Sequence, residues 1–149
     1  MKSSTSHSRK EPFGPGAGIG FALNRVRNLL AADMHEALAG TGVTGSQVGA
    51  LLLLARGRAG SAAELAKLLC VNAGFMTRML DGLENKGLLQ RSRSREDRRV
   101  VNLTLTKAGH DVAGRLADIA PTVLHGRLSR LSRQEFDVLD RLLCKLLGE

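Results

Sequence analysis

The sequence predicts a mainly α-helical chain that carries one small β-hairpin. Through most of the chain, apolar residues recur at spacings of three and four, which places them on one face of a helix. Between residues 88 and 105 the period changes to two, which is the alternation of a β-strand. The 149 residues include no Trp or Tyr and four Phe, so the core must be aliphatic, which favours packed helices.

Capping residues and glycines divide the chain into elements. We expect a flexible tail over residues 1–18, where Ser, Gly and Pro are frequent and no apolar period is present. The patterns then predict helices over about 19–40, 45–55, 61–71, 72–86, 107–128 and 133–147, and strands over 88–93 and 100–105. Capping boxes are predicted at Thr44 and Gln47, at Ser61 and Glu64, and at Ser132 and Glu135.

The order short helix, tight turn, longer helix and hairpin is that of a winged helix-turn-helix, which we assign to residues 44–105 as a DNA-binding domain. The segments 19–43 and 106–149 carry broad apolar stripes outside the core of that domain. A monomer of this size would leave much of those stripes in water. We therefore assign both segments to a helical dimerisation region and expect a homodimer with a twofold axis.

Charge indicates an anionic partner. The net charge is +8, and residues 91–99 hold five arginines against Glu96 and Asp97. An arginine-rich loop alone is usually a solvated surface, but directly after a helix-turn-helix it indicates contact with double-stranded DNA. No apolar run approaches the roughly 20 residues of a membrane span, so we expect no membrane partner. No secretion signal is recognisable, and two cysteines without metal or disulfide spacing favour a cytoplasmic protein without metal or cofactor.

The second helix of such a pair enters the major groove with its N-terminal residues forward. Arg78 can pair with guanine or phosphate, and the free N–H groups at the start of the helix suit a phosphate. Arginines at the hairpin tip suit a narrow minor groove. The candidates for DNA contact are Ser61, Asn72, Ala73, Gly74, Phe75, Thr77, Arg78, Arg93, Arg95 and Arg98.

Two of these candidates have structural alternatives. Arg78 could instead pair with Asp81 or Asp97. Phe75 could touch a thymine methyl group or could pack as a partly buried staple residue.

The sequence resembles the MarR family from about residue 19 to its end. The resemblance rests on LAKLLCVN (65–72), TRMLDGLENKGLLQR (77–91), and Asp97-Arg98-Arg99 followed by LTLTKAG (103–109). It implies a triangular dimer of winged-helix regulators, with each recognition helix in the major groove and each wing along the minor groove of a pseudo-palindromic operator. It adds Asp97 and Arg99 to the DNA-binding residues, with Asp97 bracing the wing by pairing with Arg78 or Arg99.

Members of that family usually act as repressors that a small ligand, often an aromatic acid, or an oxidant releases from DNA. The resemblance therefore implies an effector pocket, for which the candidates are Arg27, Met34, His35, Val48 and His110. Arg27 would neutralise a ligand carboxylate, and apolar side chains would line the pocket. The basic and histidine candidates could equally be surface residues.

Cys70 directly precedes the start of the predicted recognition helix. The positive end of the helix dipole can lower the pKa of a thiol there, so Cys70 is a candidate redox switch. The alternative is a small buried hydrophobic residue. Cys144 on the last helix suits packing, or a disulfide across subunits.

We therefore expect a sequence-specific transcriptional regulator, a repressor released by a small aromatic or phenolic ligand. The alternatives are an oxidant-sensing repressor of the same fold, a non-specific DNA-coating protein, and an adaptor that uses the fold without DNA. An enzyme is not expected, because the sequence has no Gly-rich phosphate loop, GxSxG, HExxH or spaced Cys/His pair.

Overall fold

The structure is a computed structural model that describes residues 17–97 and 99–149. In these ranges the elements are α1 (Ala17–Ala37), α2 (Gly45–Ala55), α3 (Ala62–Leu68), α4 (Ala73–Asn85), β1 (Leu89–Arg93), β2 (Val101–Leu105), α5 (Lys107–Leu128) and α6 (Arg133–Leu147). The predicted fold class, mainly helical with one β-hairpin, is confirmed. No helix in the described ranges is long and apolar enough to cross a membrane.

Some predicted boundaries were wrong by a few residues. The first helix begins at Ala17, inside the predicted tail, and ends at Ala37 because the chain turns before Gly40, whose φ is 78°. Both strands begin one residue late. Leu88 N donates to Leu83 O at 3.0 Å and closes α4, with Gly87 in the left-handed region. Residues 1–16 of the predicted tail lie outside the described residues.

Two of the predicted capping boxes have closely similar hydrogen bonds. Glu64 Oε2 accepts from Gly60 N at 2.8 Å and from Ser61 N at 3.0 Å, and these bonds lower the pKa of Glu64. At the start of α6, Glu135 Oε2 accepts from Ser132 N at 2.8 Å, which lowers the pKa of Glu135. Each carboxylate satisfies N–H groups that the helix itself leaves without partners, so the sequence determines where α3 and α6 begin.

The core lies where α2, α3, α4, β1 and α5 meet. Its most deeply buried large side chains are Leu51, Leu65, Met76, Leu80, Leu83, Leu89 and Leu116. The polar residue Gln47 is also buried in this core. Its Oε1 accepts a hydrogen bond from Lys86 Nζ at 2.9 Å. Gln47 fits because α4 has a glycine opposite it: a Cβ at Gly82 would lie 3.0 Å from Gln47 Nε2.

The hairpin is fixed to the body of the domain at its base. β1 and β2 pair antiparallel, with Leu89 opposite Leu105 and Arg91 opposite Leu103. Leu103 N donates to Gly60 O at 2.8 Å, which ties β2 to the segment before α3. A Cβ at Gly109 would lie 2.0 Å from Leu88 O, so α5 can start against the hairpin only with glycine at this position.

The terminal helices differ from this core. α1 is joined to α5 by a bidentate pair between Asp33 and Arg127, which lowers the pKa of Asp33 through the hydrogen bonds from the guanidinium. α6 buries none of its residues. The large apolar side chains that α1 and α6 expose are Ile19, Phe21, Leu23, Val26, Leu29, Phe136, Val138, Leu139, Leu142, Leu143, Leu146 and Leu147.

Candidate nucleic-acid interface

The first turns of α4 present small and polar residues to solvent. Asn72 Oδ1 caps the helix by accepting from Phe75 N at 2.8 Å, and Ala73, Gly74 and Thr77 are exposed. Thr77 Oγ1 donates to Ala73 O at 2.9 Å, so the hydroxyl is at present bonded to its own helix.

Arg78 is exposed on α4, one turn after Gly74. Its guanidinium extends back towards the start of the helix. Arg78 Nη1 lies 3.7 Å from the position that a Cβ on Gly74 would occupy. Asp81, a predicted alternative partner of Arg78, pairs with Arg91 instead. A bidentate donor therefore lies over the N-terminal turn of the helix, where an entering base or phosphate would lie.

Phe75 is half-buried and packs against the core. Its partial burial agrees with a packing role, although Phe75 is the third residue of α4 and a staple residue would be the fourth. Its predicted contact with DNA stays a prediction.

Ser61 and Cys70 flank α3. Ser61 is half-buried, and its Oγ accepts from Glu64 N at 3.3 Å as the helix cap. Cys70 is exposed with a φ of 52°, so the alternative of a buried hydrophobic residue is wrong. Cys144 is a half-buried free thiol. A redox role for Cys70 stays a prediction.

The wing consists of β1, β2 and the loop between them (residues 89–105), and it ends in a hydrogen-bonded turn. Ser94 N donates to Val100 O and Val100 N donates to Asp97 O, both at 2.9 Å. The side chains of Arg93, Arg95 and Arg99 are exposed around this turn. Arg98, also predicted to bind DNA, lies outside the described residues.

Asp97 braces the wing differently from the prediction. We expected a pair with the guanidinium of Arg78 or Arg99, whereas Asp97 Oδ1 accepts from the backbone N–H of Arg99 at 2.9 Å. An aspartate side chain is short and readily bonds the backbone two residues ahead. The contact therefore shapes the turn and leaves the Arg99 guanidinium exposed.

Arg91 is a functional candidate that sequence reasoning missed. It was counted with the exposed arginines of the cluster, yet its Nη1 lies 2.7 Å from Asp81 Oδ1 and 2.9 Å from Glu84 Oε2 on α4. The strand alternation carries a signal for this, because Arg91 shares a face with buried Leu89.

The predicted effector residues differ in exposure. Val48 is buried and Met34 packs against the core, whereas Arg27, His35 and His110 are exposed. Arg27 Nε donates to Asn24 Oδ1 at 3.4 Å, one turn earlier on α1. A groove of 480 Å³ between α1 and α5 is lined by other residues, including Asp33, Glu36 and Arg130. The effector site stays a prediction.

The helix pair, the exposed face of α4 and the basic wing together define a winged helix-turn-helix protein, a class that binds DNA. The family model described as MarR family matches residues 43–101. The multiple antibiotic resistance protein MarR of Escherichia coli (strain K12) is 31% identical over 130 residues, which make up 87% of this chain and 90% of MarR. The chain belongs to the MarR family.

Two further similarities agree with this membership. The transcriptional repressor MprA of Escherichia coli (strain K12) is 38% identical over 72 residues, which make up 48% of this chain and 41% of MprA, so the chain spans less than half of that relative. The crystal structure of a cysteine-to-serine mutant of MarR from E. coli, complexed with operator DNA, matches with a TM-score of 0.80 and 27% identity, over 92% of this chain and 99% of that chain.

Proposed function

We propose that this protein is a sequence-specific, homodimeric DNA-binding transcriptional regulator that acts as a repressor. The observation that carries the proposal is the combination of an exposed first turn of α4 with a wing that exposes Arg93, Arg95 and Arg99. The similar MarR structure contains operator DNA, and the similar MprA is a repressor, which supports the same partner and the same direction of control.

The chemistry divides between the two grooves. In the proposed complex α4 enters the major groove, with Arg78 as the bidentate reader and the capped N-terminus of the helix facing a phosphate. The wing lies along the adjacent minor groove, whose negative potential attracts Arg93 and Arg95. In this division the helix supplies most of the base discrimination, and the wing supplies affinity that depends on salt.

The terminal helices support a dimer. α6 buries nothing within one chain, and the first half of α1 exposes Phe21 and Val26. An apolar surface of this extent is stable in water when a second copy covers it. We propose that residues 19–43 and 106–149 form the dimer, which sets two DNA-binding domains (44–105) about one helical turn of DNA apart, roughly 34–36 Å, on a pseudo-palindromic operator.

Release by a small aromatic or phenolic ligand is the effector part of the proposal, and the resemblance to the family supports it. A ligand that binds the folded dimer raises its melting temperature by mass action. A thermal-shift screen of small aromatic acids tests this, with Arg27→Ala as the companion variant. A compound that stabilises the wild type and weakens DNA binding, with a smaller effect on the variant, supports the pocket. A compound that acts equally on both proteins rules out Arg27 as its partner.

A titration decides the proposed function. The full-length protein is titrated, with fluorescence anisotropy as the readout, against a labelled duplex from the upstream region of its own gene and against a scrambled duplex of the same composition. We expect a preference of roughly 1,000-fold or more for the natural duplex. Equal affinity for both duplexes would contradict sequence-specific regulation and favour the non-specific coating protein.

A further inference from the structure

One arginine of the basic cluster faces the recognition helix α4 and not the solvent. We infer that Arg91 is a positioning residue for DNA recognition: held by Asp81 and Glu84, it fixes the wing to α4 and thereby sets the angle between the two groove-reading elements. The inference rests on the proposed function, and it assigns to Arg91 a role without direct DNA contact.

The geometry along β1 supports this role. Leu89, Arg91 and Arg93 alternate onto one face of the strand, and the order of their burial follows the distance from the base of the wing. Leu89 is 1% exposed in the core, the Arg91 side chain is 28% exposed against α4, and Arg93 is exposed. In the described part of the chain, Arg91 makes the outermost hydrogen bonds from β1 to α4.

The two acceptors lie one turn apart on the recognition helix. Asp81 and Glu84 are separated by three residues, so their carboxylates share one face of α4. Both accept from the same nitrogen, Nη1 of Arg91. A guanidinium is planar and holds its donors in a fixed fork, so a contact with two carboxylates restrains its orientation more than a contact with one.

The exposure of the two acids indicates that the network fixes the geometry of the wing more than it stabilises the fold. The side chains of Asp81 and Glu84 are 51% and 40% exposed. Ion pairs this exposed contribute little to the stability of the fold. Loss of the network should therefore leave the domain folded while the wing tilts more freely about the remaining bond from Leu103 N, which lies opposite Arg91, to Gly60 O.

The test compares two variants that break the network from opposite sides, Arg91→Ala and Asp81→Asn with Glu84→Gln. Full-length proteins are titrated against the labelled upstream duplex at several salt concentrations. We expect the affinity of each variant for DNA to fall about tenfold, which is a loss of ~1.4 kcal/mol of binding free energy, while the melting temperature stays unchanged. The slope of log Kd against log [salt] should stay at the wild-type value in both, because no phosphate contact is removed.

A direct contact of Arg91 with DNA predicts a different result. Arg91→Ala would then lower the salt slope by about 1, and the double variant would bind as tightly as the wild type or more tightly, because it frees the guanidinium. That result overturns the inference. Unchanged affinity of Arg91→Ala overturns it as well. Arg91→Lys keeps the charge without the fork, so we expect it to recover part of the lost affinity.

Hydrogen exchange separates failure of this inference from failure of the proposed function. The amides of Ser94 and Val100 are hydrogen-bonded in the turn of the wing, and their exchange is measured without DNA. Faster exchange in both variants supports the network even if the wild type shows no preference among duplexes. Wild-type exchange rates in both variants overturn it, whatever the DNA titration gives.

Discussion

The winged helix-turn-helix region and the terminal helices are built from similar amphipathic patterns but bury them to different extents. α4 buries Met76, Met79, Leu80 and Leu83 within one chain. α6 has a similarly wide apolar face and buries no residue. The difference shows that an apolar stripe predicts a buried surface without indicating which chain covers it.

The contrast separates a region with a buried core from terminal helices whose apolar faces the proposed dimer would cover. The core residues Leu65 and Leu116 are fully buried in the described chain, whereas Leu146 of α6 is 73% exposed. We therefore expect substitutions in the core to change stability, substitutions on α6 to change assembly, and substitutions on the wing to change DNA affinity alone.

The largest expected effect comes from charge on the apolar face of α6. Leu139→Asp with Leu142→Asp should leave the domain folded, because both side chains are exposed in the single chain. It should abolish the dimer, as measured by analytical ultracentrifugation. The affinity for DNA should fall about 100-fold or more, because two linked half-site contacts become independent.

The matched control makes the same total change of charge on the polar face of α6. Arg141→Asp should remain dimeric and bind DNA with little change at high salt. A double leucine variant that stays dimeric would show that another surface holds the subunits together.

The next effect concerns the core. Leu65→Ala removes a fully buried side chain of α3 and should lower the free energy of unfolding by about 2–5 kcal/mol in urea titrations. Leu68→Ala, on the same helix and 45% exposed, should change it by less than about 0.5 kcal/mol. Equal losses in the two variants would mean that the surface around Leu68 is also covered in solution, and the contrast between the regions would then weaken.

A wing substitution should affect binding without affecting folding. Arg95→Ala should weaken DNA binding and lower the salt slope by about 1, because one phosphate-directed cation is lost. Arg130→Ala is the control: it lies beyond the far end of α5, roughly 30 Å from the hairpin. The same change of slope in both variants would indicate general attraction of charge and would argue against a wing seated in the groove.

The smallest effect is a pH dependence that the two regions share. The pKa values of Glu64 and Glu135 lie below their usual 4.5, because Glu64 accepts two backbone N–H groups and Glu135 accepts the backbone N–H and the hydroxyl of Ser132. A lowered folded-state pKa gives stability that is present above pH 4.5 and is lost as the pH falls through the folded value. Glu64→Gln and Glu135→Gln should each flatten the loss of stability below pH 4.5 in thermal melts. If Glu135→Gln alone shows no flattening, the α6 box does not form in the dimer.

Local bonds explain what could be predicted from the sequence. The caps at Ser61, Asn72 and Ser132 bond residues three positions ahead, and the stop at Gly87 depends on one left-handed residue. Such contacts lie within one turn, so residue type and spacing are enough to recognise them.

Contacts between elements explain which features could not be predicted from the sequence. Strand alternation places Arg91 on the same face as buried Leu89, but no local pattern identifies the acids that it meets, which lie 10 and 7 residues away on another element. The pairing of Asp97 with the backbone of Arg99 is local, yet the family resemblance pointed to an ion pair and was wrong about the donor. Met34 and Val48 belong to the same periodic stripes that build the core, so their periodicity could not separate packing from ligand binding.

The length of α5 would make the wing sensitive to small movements at the other end of the helix. It is one helix of 22 residues, a rod of about 33 Å, whose start is locked against the hairpin by the absence of a side chain at Gly109. A tilt of about 5° at its far end would displace the hairpin by roughly 3 Å, comparable to half the width of a minor groove of about 6 Å. In the proposed dimer such a rod would act as a lever, so the angle between the two copies would decide whether both wings reach DNA at once.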